Sequence, residues 1–244
     1  LIPIVEEISK WATVPIVVKA NAGLPDPVTN TYNVLPDEFA DTCKEMVKYG
    51  AKVLGGCCGT TPAYVAKLKE MVATVNASVV KKKPRQLAVC TPLKTVVVDQ
   101  PRIVGERINP TGKKRFKQAL RDNDMNYILS QAIEQIDAGA DILDVNVGSP
   151  DIDEKEMMVK VIKALQAIVD VPLQIDSTKP EVLEAALRVY NGKPIVNSVN
   201  GEEEVLDTIL PIVAKYGGAV IGLALDENGI PPTAEGRVEI AKRI

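Results

Sequence analysis

Apolar runs alternate with amphipathic helical patterns along most of this chain. In residues 101–244 each run is rich in Val, Ile and Leu without polar alternation, as expected of strands that are covered on both faces. The predicted strands are 102–106, 141–146, 172–176, 194–197 and 219–225. Such strands, separated by helices, form parallel sheets with right-handed crossovers.

Helical patterns fill the intervals between these strands. Apolar side chains recur at i, i+3, i+4 and i+7 over 125–136 and again over 158–168. Pro180 suits the first turn of a third helix, and a fourth helix over 202–216 is expected to bend at Pro211. The pattern therefore predicts repeated strand–helix units.

The beginning of the chain shows the same alternation in shorter form. The predicted elements are a helix through Trp11, a strand over 14–20, a helix over 36–49, a strand over 51–54 and a helix that begins at Thr61-Pro62. The stretch 76–100 interrupts the alternation and is more polar. We therefore expect one domain at 1–75, a linker at 76–100 and a second domain at 101–244.

Both domains are shorter than a complete (β/α)8 barrel of the TIM type, which takes about 250 residues. The predicted class is α/β, with two barrels that are both incomplete: the last two strands of one and the first five of another. A doubly wound open sheet stays possible for the second domain. Both ends of the chain fall inside helical patterns, so a longer polypeptide is expected.

Composition excludes several classes of function. A net charge of −3 argues against a nucleic-acid-binding surface, and the apolar runs are too short to cross a membrane. Four cysteines, two of them adjacent, indicate a reducing cytoplasm rather than a disulfide framework. The sequence contains no histidine, which excludes His-based triads and His metal ligands.

Polar side chains stand where the predicted strands end, and in parallel β/α folds ligands bind at that edge. These strand-end residues are Asn21, Cys57, Cys58, 106–109, Asp144, Asn146, Asp176, Asn197, Asn200 and Asp226. The alternative is that they cap the following helices. Thr61, Asp153 and Thr178 are better placed for capping, so a ligand site is favoured.

Cys57 and Cys58 are flanked by glycines, which permit the irregular backbone needed to turn both sulfurs the same way. Two thiolates form part of a zinc site, and a catalytic zinc needs one more protein ligand and an open position. Cys43 falls on an apolar stripe and Cys90 in the linker, so the third ligand is expected upstream of Leu1. A strained vicinal disulfide and two small buried residues remain alternatives.

The segment Gly-Gly-Cys-Cys-Gly-Thr-Thr-Pro at 55–62, with Asn-Ala-Gly-Leu-Pro at 21–25, resembles the end of the homocysteine S-methyltransferase barrel. The resemblance covers 1–75. It implies homocysteine as substrate and Cys57 and Cys58 as Zn²⁺ ligands, with a third cysteine from an earlier strand. Asn21 is assigned to orienting the amino acid.

The second domain resembles the pterin-binding barrel of dihydropteroate synthases and methyltetrahydrofolate-dependent methyltransferases. The segments that carry this resemblance are Gly-Glu-Arg-Ile-Asn-Pro-Thr-Gly at 105–112, Asp-Val-Asn at 144–146, Gln-Ile-Asp-Ser at 174–177 and Ile-Val-Asn-Ser at 195–198. It implies that Asp176 and Asn197 bind the pterin edge. Asp144 and Asn146 are expected as further substrate contacts, and Asn109 and Asn200 as catalytic groups near pterin N5.

Together the two domains resemble the cobalamin-dependent methionine synthases, which join these barrels in this order. That resemblance implies a cytoplasmic methyltransferase that uses 5-methyltetrahydrofolate and homocysteine, with cobalamin bound by a domain outside this chain. Three alternatives stay open: a homocysteine barrel fused to a folate reductase, a dihydropteroate synthase-like enzyme, and a non-catalytic folate or metal carrier.

Overall fold

The computed structural model describes residues 1–76 and 80–244. The chain divides into two compact units, Leu1–Arg85 and Gln86–Ile244. The division falls inside the predicted linker at 76–100, of which 77–79 lie outside the described residues. The precise limits of the two domains stay a prediction.

The first unit alternates helices and strands in the predicted order. Its elements are α1 (Ile2–Trp11), β1 (Ile16–Ala20), α2 (Pro36–Lys48), β2 (Ala51–Gly56) and α3 (Pro62–Val72). The strands β1 and β2 pair in parallel, with Ala20 opposite Gly56 at their carboxyl ends. Both α2 and α3 begin with a proline, which fits a first turn whose backbone N–H groups need no partner within the helix.

The core of the first unit lies between its helices and the two strands. Phe39 of α2 packs edge-on against Tyr64 of α3, with ring centroids 5.4 Å apart. Cys43 is buried in the same apolar cluster, as its position on an apolar stripe predicts. Burial raises the pKa of the Cys43 thiol to about 11, so this cysteine is a packing residue rather than a thiolate ligand.

The second unit begins with a short hairpin and continues with alternating strands and helices. Its elements are β3 (Ala88–Cys90), β4 (Thr95–Val97), β5 (Val104–Ile108), α4 (Lys114–Asp122), α5 (Met125–Asp137), β6 (Ile142–Val145), α6 (Glu154–Gln166), β7 (Leu173–Asp176), α7 (Pro180–Val189), β8 (Ile195–Asn200), α8 (Glu203–Tyr216), β9 (Ala219–Leu223) and α9 (Ala234–Arg243).

The strand order identifies the architecture of this unit. Within the described residues, β5, β6, β7, β8 and β9 lie side by side in chain order, and each neighbouring pair is parallel. A doubly wound sheet would reverse its order at a switch point, whereas a β/α barrel adds strands in sequence. The prediction of an incomplete parallel barrel is therefore confirmed, and the doubly wound alternative is wrong.

Burial in the second unit follows from the apolar runs. Every residue of β6 is buried, as expected of a strand covered on both faces. One face of α6 is fully buried at Met158, Val161, Ile162 and Leu165, which repeats the predicted apolar stripe. The sheet is thus held rigid, and its carboxyl edge provides a fixed platform for side chains.

Three elements and two helix caps differ from the sequence prediction. Thr61 occupies the N-cap position of α3, but its side chain makes no capping hydrogen bond within the described residues. The hairpin β3–β4 lies inside the predicted linker, and α4 was not predicted. Asp153 caps α6 by accepting a hydrogen bond from the Glu156 N–H at 2.9 Å. Thr178 is not the cap of α7, because Lys179 holds that position and its N–H donates to Ser177 Oγ at 3.2 Å.

No helix among residues 1–76 and 80–244 combines the length and the apolar character needed to cross a membrane.

Candidate active sites

Cys57 and Cys58 form a tight turn directly after β2. The Cys57 N–H donates to the Ala20 carbonyl at 2.8 Å, which continues the pairing of the two strands. The Thr60 N–H donates to the Cys57 carbonyl at 3.2 Å, and Gly59 has φ +78°. A glycine at positive φ in the third position fits a type II turn. The turn interrupts strand alternation and brings the two sulfur atoms within 3.9 Å.

The structure contradicts both alternatives to a ligand site at Cys57 and Cys58, which were a vicinal disulfide and two small buried residues. Cys57 and Cys58 are free and exposed. Their Sγ–Sγ distance of 3.9 Å is far longer than a disulfide bond of about 2.05 Å. The pair is therefore neither a vicinal disulfide nor two small buried residues, and both sulfurs are open to a ligand.

The spacing of the two sulfurs fits zinc. A tetrahedral zinc with Zn–S bonds of about 2.3 Å places two thiolates about 3.8 Å apart, close to the observed 3.9 Å. No group of three His, Cys, Asp or Glu that could hold a metal occurs in the described part of the chain. Cys57 and Cys58 thus offer two ligands, and a third ligand from elsewhere stays a prediction.

Asn21 supports the turn that carries the cysteines. Its Oδ1 accepts a hydrogen bond from the Cys58 N–H at 3.1 Å. On the other side, Thr60 Oγ1 donates to the Cys57 carbonyl at 2.7 Å. The backbone of the turn is therefore fixed from two directions. The exposed Asn21 has no partner for its amide nitrogen among the hydrogen bonds of the described residues, which leaves this group able to contact a ligand.

Tyr32 belongs to this site although no sequence pattern indicated it. A Cβ added to Gly59 would lie 2.2 Å from Cγ of the Tyr32 ring, so the ring covers this glycine. The pKa of Tyr32 is raised, first by desolvation and then by the nearby Cys58 and Cys57 sulfurs. Tyr32 lies in a long loop, where neither periodicity nor a strand end marks a residue.

In the second unit, four predicted residues meet at the carboxyl edge of the sheet. Asn146 Nδ2 donates to Asp176 Oδ2 at 2.9 Å, and Asn197 Nδ2 approaches Asp144 Oδ1 at 3.4 Å. Asp176 lies directly opposite Asn197 in the pairing of β7 with β8. Asp176, Asn146 and Asn197 are half-buried, whereas Asp144 is buried. The four side chains form a carboxylate–amide cluster in which Asp144 is buried and the other three side chains are partly exposed.

Asn109 joins this edge through Glu106, which the sequence prediction placed among the strand-end residues without a specific role. Asn109 is buried, and its Nδ2 donates to Glu106 Oε1 at 2.7 Å. The charge of Glu106 acts on both Asp144 and Asp176. Glu106 is the third residue of β5 and was marked in the sequence only as the last residue of the predicted strand 102–106.

Burial controls the protonation of the two aspartates. Desolvation raises the pKa of Asp144 to about 6, with the charges of Asp176 and Glu106 adding to the shift and hydrogen bonds from Gln174 and Asn197 opposing it. Desolvation also raises the pKa of Asp176, while the hydrogen bond from Asn146 lowers it. Asp144 therefore exchanges a proton closer to neutral pH than an ordinary aspartate does.

One oxygen of Asp144 is left without a partner. Oδ1 accepts from Gln174 Nε2 at 2.6 Å, but the buried Oδ2 has no hydrogen bond within the described residues. An orphaned buried carboxylate oxygen is costly unless a proton or a donor reaches it. Gln174, which lies in the predicted segment at 174–177 but was given no site role, fixes the orientation of this carboxylate.

Asn200 is held apart from the cluster by local bonds. Its Oδ1 accepts from the Glu202 N–H at 3.0 Å, and its Nδ2 donates to Glu202 Oε1 at 2.8 Å. The side chain thus supports the turn into α8. Its predicted catalytic role stays a prediction, to be tested apart from the four clustered residues.

Irregular strand pairing coincides with the site. The register of β5 with β6 shifts between Gly105 and Ile108, and that of β8 with β9 shifts between Val196 and Val199. These intervals contain Glu106 and Asn197. Bulges re-aim side chains and are frequent next to active sites.

Each of the two units matches the model of a different protein family. The family model described as a pterin binding enzyme matches residues 105–241, which is more than half of the chain. The family model described as homocysteine S-methyltransferase matches residues 1–72.

Two curated relatives align with nearly the whole chain. A methionine synthase of Mycobacterium tuberculosis is 33% identical, and one of Mycobacterium leprae is 32% identical. Each alignment covers 97% of this chain and 21% of the relative. The chain thus spans about a fifth of the length of these relatives.

Solved structures of dihydropteroate synthases are also similar. That of the Vibrio fischeri enzyme gives a TM-score of 0.48 at 20% identity and covers 65% of this chain and 61% of that one. A Xanthomonas albilineans enzyme gives a TM-score of 0.42 at 24% identity, covering 56% and 49%.

Proposed function

The chain belongs to the family of pterin-binding enzymes, and from this we propose that it is part of a methyltransferase that forms methionine. In this proposal the second unit binds 5-methyltetrahydrofolate and the first unit activates homocysteine. The match of residues 1–72 to homocysteine S-methyltransferases and the likeness to mycobacterial methionine synthases support the combination. The observation that carries it is the presence of two strand-end sites, one of thiols and one of carboxylates and amides.

The carboxylate–amide cluster suits a reduced pterin. A pterin edge presents a ring N–H and an amino group beside a carbonyl oxygen. The Asp176 carboxylate can accept two of these hydrogen bonds, and the Asn197 amide can both donate and accept. Both side chains are half-buried, so they can reach a ligand while the sheet holds them. We assign them to the pterin edge, with Asp144 and Asn146 as their supports.

Transfer of the methyl group requires that the pterin nitrogen leaves as a neutral amine. N5 must therefore be protonated before or while the bond between carbon and nitrogen breaks. Asp144 can hold a proton near neutral pH because burial raises its pKa to about 6. Asn109 and Asn200 are proposed to orient groups near N5 by hydrogen bonding.

The cysteine pair suits the activation of a thiol substrate. Zinc bound there would hold homocysteine as a thiolate at neutral pH. Cys57 and Cys58 would act as permanent ligands, and the Asn21 amide nitrogen would orient the amino acid. The free, exposed state of the pair agrees with a reducing cytoplasm as the proposed location.

The residues of this chain do not suggest a corrinoid site. The sequence has no histidine to serve as a cobalt ligand. We therefore derive no step through a corrinoid and place the proposed cobalamin-binding domain in another part of a longer polypeptide. The relatives, of which this chain spans about a fifth, have room for such a domain.

Binding of methyltetrahydrofolate to the full-length protein tests the proposal. Asp176→Asn should weaken binding about 30- to 100-fold, because a charged acceptor of two hydrogen bonds is lost. The matched control is Asp170→Asn, which makes the same change before the amino end of β7. Equal binding by wild type and Asp176→Asn would contradict the assignment, and so would binding of aminobenzoate with formation of a pteroate.

A further inference from the structure

Glu154 is a nearly buried carboxylate in the second unit that the proposed chemistry does not use. It is the first residue of α6, and its side chain is 9% exposed. The helix behind it is anchored in the core by the fully buried Met158 and Val161. A carboxylate removed from water destabilises a protein unless donors compensate, so the partners of Glu154 show what it holds in place.

Both oxygens of Glu154 contact the loop that follows β7. Ser177 Oγ donates to Glu154 Oε1 at 2.6 Å, and Lys179 Nζ lies 2.9 Å from Glu154 Oε2. The Lys179 N–H in turn donates to Ser177 Oγ at 3.2 Å. In the described part of the chain, no side chain caps the first turn of α7. The path of residues 177–179 is therefore fixed from α6, through Glu154.

Ser177 is also the backbone link between the two residues assigned to the pterin edge. It follows Asp176 directly in the chain, and its N–H donates to the Asn197 carbonyl at 3.2 Å. Ser177 is buried, so the hydrogen bond from its hydroxyl to Glu154 is shielded from competing water. A shift of Ser177 would therefore displace Asp176 relative to Asn197.

We infer that Glu154 is a positioning residue of the pterin site, which acts through the Ser177 hydroxyl to hold Asp176 and Asn197 at a fixed separation. This inference rests on the proposed function, because the pterin edge is the ligand that these two side chains would share. Groups that bind one rigid edge must stay within about 0.5 Å of the productive geometry. Glu154 touches neither the pterin nor the methyl group in this role.

Glutamine separates the hydrogen-bond acceptor of Glu154 from its charge. The amide oxygen of glutamine can still accept from Ser177, but the amide cannot form an ion pair with Lys179. Alanine removes both contacts. The Lys179 side chain is 55% exposed, so its ion pair contributes little. The inference therefore predicts that Glu154→Gln keeps most of the affinity that Glu154→Ala loses.

Calorimetric titration of the full-length protein tests this prediction with methyltetrahydrofolate and with 6-methyltetrahydropterin, which lacks the aminobenzoyl-glutamate tail. Glu154→Ala and Ser177→Ala should each weaken binding of both ligands about 10-fold, and Glu154→Gln should stay within about 2-fold of wild type. The matched control is Glu156→Ala, an exposed position in the same turn of α6, which should bind like wild type. Equal losses in Glu154→Gln and Glu154→Ala would overturn the inference, and so would a loss confined to methyltetrahydrofolate.

Hydrogen exchange of the ligand-free full-length protein provides a readout that does not depend on a pterin. The Ser177 and Lys179 amides are hydrogen-bonded, so the peptide that contains them reports how firmly the loop is held. Glu154→Ala should speed exchange in this peptide several-fold, whereas Glu156→Ala should not. Unchanged exchange in Glu154→Ala overturns the inference. Wild-type protein that binds neither ligand would instead contradict the proposed function, and exchange would still decide whether Glu154 holds the loop.

Discussion

The two strand-end sites obtain their geometry by different means. In the first unit the sulfurs of Cys57 and Cys58 are exposed, and backbone hydrogen bonds of a tight turn set their 3.9 Å spacing. In the second unit Asp144 is buried, and side-chain amides from neighbouring strands hold it and Asp176. The first site is a product of turn geometry, and the second is a product of burial.

This difference matches the chemistry proposed for each site. A soft metal needs thiolates that are accessible and correctly spaced, which an exposed turn provides. Proton exchange near neutral pH needs a carboxyl group with a raised pKa, which burial provides. We therefore expect the first site to respond to changes in ligands and turn residues, and the second to respond to changes in charge and pH.

The largest expected effect is the loss of one thiolate. Cys58→Ser should weaken zinc binding by at least about 100-fold, since a structural or catalytic zinc site loses several kcal/mol with each thiolate. Chelator competition on the full-length protein measures this change. Cys90→Ser, in the second unit, is the matched control and should bind zinc like wild type. Similar affinities for all three proteins would show that zinc binds elsewhere.

The next largest effect concerns the free energy of unfolding and its dependence on pH. Its sign is opposite to that of a carboxyl group whose pKa is lowered by folding. The pKa of Asp144 is about 6 in the folded protein and 3.8 ordinarily, so the folded state binds more protons between about pH 4 and pH 6. Stability contributed by this group is therefore lost as pH rises through that window. Asp144→Asn carries no such charge and should be about 2–3 kcal/mol more stable than wild type at pH 7.

Urea unfolding at several pH values measures this prediction. At pH about 4 the wild type and Asp144→Asn should have similar free energies of unfolding. The difference between them should grow as the pH rises from about 4 to about 6. A variant that is less stable than wild type at pH 7 by a similar amount would contradict the account of a buried, poorly partnered carboxylate.

A smaller effect is expected from the turn in the first unit. Gly59→Ala places a Cβ against the Tyr32 ring at φ +78°, so it should cost about 1–2 kcal/mol of stability and weaken zinc binding. Gly112→Ala is a useful control, because Gly112 also has a positive φ of 70° but no atom within 4 Å of the added Cβ. It should lose stability without any change in zinc affinity. Equal zinc affinity in wild type and Gly59→Ala would argue against a rigid turn.

The smallest effect is expected where one neutral amide supports the pterin site. Asn146→Ala removes the 2.9 Å hydrogen bond to Asp176 Oδ2 and should weaken methyltetrahydrofolate binding about 5-fold, or about 1 kcal/mol. Calorimetric titration of the full-length protein gives the affinity. Asn191→Ala, beyond the end of α7, should leave affinity unchanged. A loss as large as that of Asp176→Asn would mean that Asn146 contacts the pterin itself.

Most of the fold could be predicted from the sequence because buried parallel strands are continuous apolar runs. The prediction of β6 at 141–146 agrees with the observed Ile142–Val145 within two residues. The helix α4 was missed because it is strongly polar and buries only Phe116, Ala119 and Leu120. The hairpin β3–β4 was missed because its two strands have three residues each and lie in a polar stretch.

The candidate sites could be predicted only as far as strand ends mark them. Asp144, Asp176 and Asn197 were predicted as strand-end residues, and the structure brings them together, although Asn197 is the third residue of the longer strand β8. Tyr32 and Gln174 could not be found in this way. The first reaches its site by the folding of a loop, and the second is a polar residue inside an apolar strand whose partner is fixed only by strand register.

The most direct test separates the two sites by their half-reactions in the full-length protein, with a free corrinoid as methyl carrier. The account predicts that Asp176→Asn slows methyl transfer from methyltetrahydrofolate and leaves transfer to homocysteine unchanged. Cys58→Ser should do the reverse. If either variant slows both half-reactions equally, the assignment of one chemistry to each unit is wrong.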